Sequence, residues 1–399
     1  MNITLPNHVK KILGLIFVSL CLSYTFPLMG PILVSSGMDP SLVALCLSAI
    51  SLISGVIQPW VGQKLDEGRS NTPFLIAVVG IVTGLGALIA GVTNPWPLAA
   101  ALLLYHVGGM TLSTANRTLC FTGLDPHQKE DAAGLFFLIF NLGLAVAGLM
   151  AYLFLESYRT QLLTADLIST LAVVFVAFPM ISRLKKQYAT APREEAPSSN
   201  RHQLWKVLKR NPSKIFAVFI MDLSLSLAIM MAPLLYAVHG MPAEKYTALG
   251  LAANTIIIVA IGPLLSKGAR FLSRPMSLAL VSVLMGLGLG LTPSIRGELS
   301  IIMVVTIWTL GEILLARVEM PMILECFNES EKGLASGTMG LIHSSSRVIA
   351  PLIAAMVIRL DPMVAGVCLM AIPILGVIPV LLRLEKRPGR LPYRLRKAA

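Results

Sequence analysis

Apolar runs of about 20 residues alternate along this chain with short polar breaks, the length at which a helix crosses the hydrocarbon core of a bilayer. Twelve such runs are legible, near 12–34, 41–61, 72–92, 97–119, 132–154, 162–182, 215–237, 246–266, 275–293, 299–321, 334–357 and 362–382. The longest break, SRLKKQYATAPREEAPSSNRHQLWKVLKRNPSK over 182–214, is rich in charge, Pro and Ser, and reads as a linker with a short surface helix around Trp205–Lys209. The pattern predicts an all-α membrane protein of twelve transmembrane helices in two six-helix bundles. Residues 1–182 form the first bundle, 183–214 the linker, 215–383 the second bundle and 384–399 a basic tail.

Composition sharpens this reading. Of the 399 residues 55% are hydrophobic and only 13% charged, half the charge of an ordinary soluble domain, with a mean hydropathy of +0.77. The net charge of +12 invites nucleic-acid binding, but its placement argues for a membrane. With the N-terminus in the cytoplasm, roughly 25 of the 32 Lys and Arg fall in cytoplasmic segments, about four in external loops and about three within helices. Both termini are therefore expected inside, in a bacterial inner membrane, with the tail RLEKRPGRLPYRLRKAA beside anionic headgroups. No cleavable signal is expected, because the first apolar run is long and lacks a small-residue cleavage site.

Cys21, Cys46, Cys120, Cys326 and Cys368 show no CxxC or metal spacing, so no disulfide framework, metal site or cofactor is expected. Nucleotide loops and nucleophile elbows are missing too, which argues against an enzyme, and no sizeable soluble domain argues for a receptor.

The two halves repeat one another faintly. GQKLDEGR at 62–69 aligns with GPLLSKGAR, matching Gly62, Leu65 and Gly68 to Gly262, Leu265 and Gly268. Gly108 matches Gly311, Gly134 matches Gly337, Gly148 matches Pro351, and the ladder Gly80/Gly84/Gly86 matches Gly286/Gly288/Gly290. The offset stays near 200 residues throughout, as two related six-helix units require.

On these features the whole chain resembles the major facilitator superfamily, whose loop between helices 2 and 3 carries G-x-L-a-D-R-x-G-R-K. Gly62, Asp66, Gly68 and Arg69 take the places of its glycine, acid, glycine and base, with the second glycine one residue early and Lys64 and Glu67 replacing the usual Leu and Arg. The stretch GGMTLSTANRTLCFTGLDPHQKEDAAGLFFLIFNLGLAVAG is similar to the drug:proton antiporter branch around helices 4 and 5. Gly143 and Gly148 remain there, whereas the branch's helix-5 proline is absent and its helix-4 arginine falls near Tyr105. The resemblance implies that helices 1, 4, 7 and 10 line a central cavity and that 3, 6, 9 and 12 lie outside. It also implies that Gly62, Asp66 and Arg69 belong to the gating machinery, with Asp66 at the N-terminus of helix 11, where the helix dipole favours negative charge. A solvated loop of charges is the other reading of this turn.

The distribution of ionisable groups accords with that cavity. Helices 3, 9 and 12 carry no charge within their runs, and helix 6 only Asp166, expected near its outer end within reach of water. Deep charge collects instead on helix 4 (His106, Arg117), helix 7 (Asp222), helix 10 (Glu312, Arg317, Glu319) and helix 11 (His343, Arg347). A charge facing lipid costs about 2.5–3.5 kcal/mol even on insertion scales, so these groups are expected to face inward or to pair. At 1.5 Å per residue, Asp222, Glu312, His343 and Arg347 fall within roughly 5 Å of the midplane, the depth of a transporter's cargo site.

These residues support a secondary transporter working by alternating access, with the proton gradient as its energy source. Asp222, Glu312 and Glu319 are the candidate proton carriers, since burial favours a neutral carboxyl and a cation or water restores its charge. A fixed Glu312–Arg347 ion pair is the alternative for Glu312. Arg347 suits an anionic cargo group; His343 and His106 are either cargo contacts or packing residues. Arg117 and Glu319, both roughly 13 Å toward the cytoplasm, are either a gate across the cavity or locally paired groups. Tyr24, Trp308, Asn141 and Asn254 are the remaining substrate-contact candidates, a wall suited to amphipathic molecules. Efflux of drug-like compounds or a carboxylate-bearing siderophore is expected, with uptake of a small organic anion as the alternative. The partners are cargo, protons and lipid; a monomer is expected, and no nucleic acid. If Asp66 latches the halves, Asp66→Asn slows flux into proteoliposomes several-fold and shifts the population away from the state closed to the cytoplasm; unchanged flux and populations remove the latch.

Overall fold

The computed structural model describes residues 6–66, 69–121, 126–188, 209, 211–326 and 332–385, and among them no strand occurs. The helices are α1 (Asn7–Leu22), α2 (Thr25–Ser35), α3 (Pro40–Asp66), α4 (Asn71–Ile89), α5 (Pro95–Phe121), α6 (Pro126–Tyr188), α7 (Pro212–Val238), α8 (Ala243–Gly268), α9 (Arg274–Leu291), α10 (Glu298–Leu324), α11 (Lys332–Val357) and α12 (Pro362–Glu385). Helix is what such runs must form, because lipid offers no partner to a backbone N–H or C=O. Proline, which tolerates the first helical turn, opens α3, α5, α6, α7 and α12. Gly37, Gly91 and Gly240 end α2, α4 and α7 with φ of +91°, +70° and +67°, a backbone region that side chains disfavour.

Among the described residues ten helical stretches are long and apolar enough to cross a membrane, against the twelve read from hydropathy. The first, Val9–Ser35, joins α1 and α2 across an irregular turn at Ser23 (φ −90°, ψ 79°). Leu135–Arg183 of α6 unites two expected helices, because the chain bends at Tyr158 (φ −130°, ψ 31°) without leaving helix on either side. Its 49 residues exceed twice the length of a crossing. Helix α12 contributes the shorter apolar stretch Pro362–Ile378. The chain is thus a multi-pass, all-α membrane protein.

Successive helices run between an end that carries the chain termini and a distal end formed by residues 36–39, 90–94, 239–242 and 358–361. In the first half α1 packs on α6, and α4 on α5 and α6; in the second, α9 packs on α10 and α12, and α7 on α11 and α12. The halves meet through α3 against α11, α6 against α8, and α2 against α7 and α8.

The internal repeat is a repeat of close contacts. A Cβ on Gly84 would lie 2.2 Å from that of Tyr105 on α5, and one on Gly288 would lie 2.6 Å from that of Trp308 on α10. Gly108 and Gly311, likewise matched, press against the backbone at Gly80 and against Met285. Without hydrophobic drive between helices in lipid, such small-residue seams supply the packing. Trp308 and Tyr24, 7% and 2% exposed, are therefore core residues and do not line the cavity described below.

Asp166 departs from expectation. It is fully buried and hydrogen-bonded, Thr25 donating to Oδ2 at 2.9 Å and Thr170 to Oδ1 at 3.0 Å. Its carboxylate binds the start of α2 to α6 beside the turn at Ser23, so its charge is met by hydroxyls and not by water. Gly148 of α6 crosses α8 so closely that a Cβ would meet Ala252 N at 2.8 Å and Ala248 O at 3.0 Å. Gly148→Val is expected to cost about 1–3 kcal/mol, read as a lowered thermal unfolding midpoint in detergent, whereas Gly86→Val, with nothing within 4 Å, shifts it little.

Candidate functional site

Helices α7, α10 and α11 pack on one another and bring the deep acids of the second half together. Asp222 lies midway along α7, 4% exposed, and its Oδ1 meets His343 Nδ1 of α11 at 2.5 Å. Glu319 of α10 joins them, the three side chains offering donor atoms within 4.8 Å of one another. Asp222 Oδ2 and Glu319 Oε1 are both buried without a hydrogen-bond partner among the described residues. Two turns away on α10, Glu312 Oε2 accepts from Asn254 Nδ2 of α8 at 2.8 Å, and the same amide donates to Thr309 Oγ1 at 2.9 Å. A Glu312–Arg347 ion pair is not formed, and among the described residues none of Asp222, Glu312 and Glu319 is paired to lysine or arginine.

Arg347, one turn beyond His343 on α11, is exposed, as is Arg117 on α5. The charge of Arg347 reaches Arg117, His106 and His343. Neither guanidinium meets a carboxylate among the described residues, and no Arg117–Glu319 pair forms: Glu319 turns to Asp222 and His343. Two like charges from opposite halves repel, and they persist at this depth only where water or an anion reaches them.

A cavity of about 520 Å³ opens between the halves toward the terminal end. Its wall is mostly apolar, from Phe137 and Leu138 of α6 to Val259 and Pro263 of α8, and Asn141, Glu312, Arg317 and Glu319 supply its polar groups. Asn141 itself is 6% exposed and donates to Phe137 O at 2.9 Å. His106 is 7% exposed on α5.

The distal end is held by a set of contacts that hydropathy did not single out. Arg159 pairs with Glu244 at 3.2 Å and Lys245 with Glu156 at 3.8 Å; Tyr152 donates to Glu298 at 2.8 Å and Ser48 to Val348 O at 2.8 Å. Arg359 donates to Ser41 Oγ at 2.9 Å. All of them join the first half to the second. The available signal was the mixed charge at helix ends beside short loops, Glu156 with Arg159 and Glu244 with Lys245.

At the opposite end, Arg69 N donates to Lys64 O at 2.8 Å, so the turn after α3 closes tightly on its own backbone; Gly62 lies within α3. The Asp66 side chain, Glu67, Gly68 and residues 327–331 lie outside the described part, and with them the latch; so do Trp205 and the tail from residue 386.

The class of the protein follows from this helical membrane bundle taken together with its family. A family model described as Major Facilitator Superfamily matches residues 12–351, and the chain belongs to that superfamily. No curated protein sequence matches. Among solved structures the chain is similar to a POT family transporter in complex with 5-aminolevulinic acid, at 12% identity and a TM-score of 0.67, covering 95% of this chain and 97% of that one. It is also similar to the human organic anion transporter MFSD10 (TETRAN), at 14% identity and 0.63, covering 94% and 99%. A bacterial homologue of the human drug peptide transporters PepT1 and PepT2 matches at 14% and 0.64, with 94% and 99% covered. At these identities the likeness shows the fold.

The Asn254–Glu312 contact has a measurable signature. Asn254→Leu leaves a carboxylate without its donor and is expected to destabilise by about 1–3 kcal/mol in detergent unfolding. Adding Glu312→Met recovers most of that loss, because both polar partners are then gone; a strictly additive double mutant shows that the two are not coupled.

Proposed function

We propose that this chain is a proton-coupled secondary transporter of small amphipathic molecules that carry an acidic group. The observation that carries the reading is the arrangement of charge at mid-depth. Three acids of the second half lack a lysine or arginine counter-ion among the described residues, and two arginines without a carboxylate stand nearby, one from each half.

A buried carboxyl binds a proton readily and gives it up when water or a cation arrives, so Asp222, Glu312 and Glu319 are the proton carriers of this reading. Arg117 and Arg347 take the anionic group of the cargo, for which the guanidinium fork is suited, with His343, His106, Asn141 and Asn254 beside them. Tyr24 and Trp308 act on the cargo only through packing. The apolar wall of the cavity accepts the rest of the molecule.

The sealed end is external and the hollow end cytoplasmic, following the excess of Lys and Arg at the terminal end. Each half comprises six crossings, the bent α6 supplying two, and the protein works as a monomer in a bacterial inner membrane with both termini inside. The distal ion pairs include exposed members, so each contributes only about 0–1 kcal/mol and the clamp reopens at low cost as the halves rock.

Export, cargo moving against protons, is the direction that the likeness to the antiporter branch favours; the cargo is then a drug-like acid or a carboxylate-bearing siderophore or metabolite. The arginine pair favours a second direction, uptake of an organic anion together with protons that neutralise it. Proteoliposomes with an imposed pH gradient separate the two: an exporter's cargo accumulates on the acidic side, a symporter's on the alkaline side. Asp222→Asn and Glu312→Gln are expected to reduce gradient-driven accumulation by at least tenfold while cargo exchange without a gradient persists. Full gradient-driven accumulation in both variants sinks the coupling role, and undiminished cargo affinity in Arg117→Gln with Arg347→Gln sinks the anionic-cargo reading.

A further inference from the structure

The cysteine spacing offers no metal site, and Asp222, Glu319 and His343 lie on three separate helices. The fold changes this by bringing Asp222 from α7, Glu319 from α10 and His343 from α11 within 4.8 Å of one another. Each would be an ordinary polar residue alone. Together they leave two acceptors stranded: Asp222 Oδ2, on a side chain 5% exposed, and the buried Glu319 Oε1. Buried oxygens of this kind are normally satisfied, and here both point into one cluster that already contains an imidazole.

We propose that Asp222, Glu319 and His343 form a binding site for a divalent first-row transition-metal ion. Two carboxylates cancel the charge of a dication, and the imidazole favours zinc, manganese or cobalt over magnesium and calcium, which prefer oxygen alone. The His343 side chain is 42% exposed and Glu319 lines the cavity, so the cluster keeps an accessible face, as sites with three protein ligands and a free position do. The proton shared between Asp222 Oδ1 and His343 Nδ1 leaves as the ion enters, and the imidazole becomes a neutral ligand. Arg347, one turn further along α11, then lies where the anionic group of a cargo can approach both the guanidinium and the metal's free position.

Asp222 and Glu319 also serve the proton-coupling reading, so metal and coupling proton compete there, and the two ideas are tested apart. The full-length protein, purified in detergent and stripped with a chelator, is titrated with ZnCl2, MnCl2 or MgCl2, and bound metal is read by calorimetry and elemental mass spectrometry. A single equivalent of zinc or manganese is expected, bound at least tenfold more tightly than magnesium. Affinity falls about 10–100-fold or more in Glu319→Gln and His343→Ala, and is unchanged in Glu156→Gln at the distal end. Should either variant fail to fold, His343→Gln carries the comparison, with loss of the zinc-induced rise in unfolding temperature as its readout. Absence of stoichiometric binding, equal affinity for magnesium, or binding that survives loss of His343 overturns the site. Gradient-driven transport measured in metal-free proteoliposomes is independent of these outcomes: intact transport without metal binding removes the metal site alone, and metal binding without proton-driven transport removes the coupling role alone.

Discussion

A charge in hydrocarbon must find water or a counter-charge, and most of this structure follows from that constraint. Helices α4 and α9 carry no charge within their apolar runs. The deep ionisable groups stand on α5, α7, α10 and α11, and Asp222, Glu319 and His343 come together within the second half. Asp166 obeys the same rule by another route. Its carboxyl oxygens accept hydrogen bonds from the hydroxyls of Thr25 and Thr170, and in doing so bind the broken first crossing to α6.

Packing in lipid lacks the hydrophobic drive that holds soluble cores, so the bundle is assembled on close contacts between small residues. The seams at Gly84 with Tyr105 and at Gly288 with Trp308 are the same joint made twice, once in each half. A third tight crossing, Gly148 against Ala252, joins the two halves. At the distal end the contacts between the halves are hydrogen bonds and partly exposed ion pairs, individually weak.

The deep charge pattern has a polarity of its own. Acids and an imidazole cluster in the second half, whereas the charge of Arg347 reaches Arg117 of the first half.

Much of this was legible in the chain itself. Hydropathy and length determined a multi-span helical membrane protein, because lipid leaves helix as the one backbone solution for such runs. The recurrent glycines marked the repeat, since close helix crossings exclude side chains, and the scarcity of deep charge marked Asp222, Glu312, Glu319, His343 and Arg347 by its cost. Which deep groups touch was decided by tertiary structure alone. Helix periodicity places residues on a face but does not say which face a neighbouring helix presents, so Glu312 met Asn254 rather than Arg347, and Glu319 met His343 rather than Arg117. The bend at Tyr158, the burial of Asp166 and a three-helix donor cluster with no spacing in the sequence arose in the same way, from the docking of elements far apart in the chain.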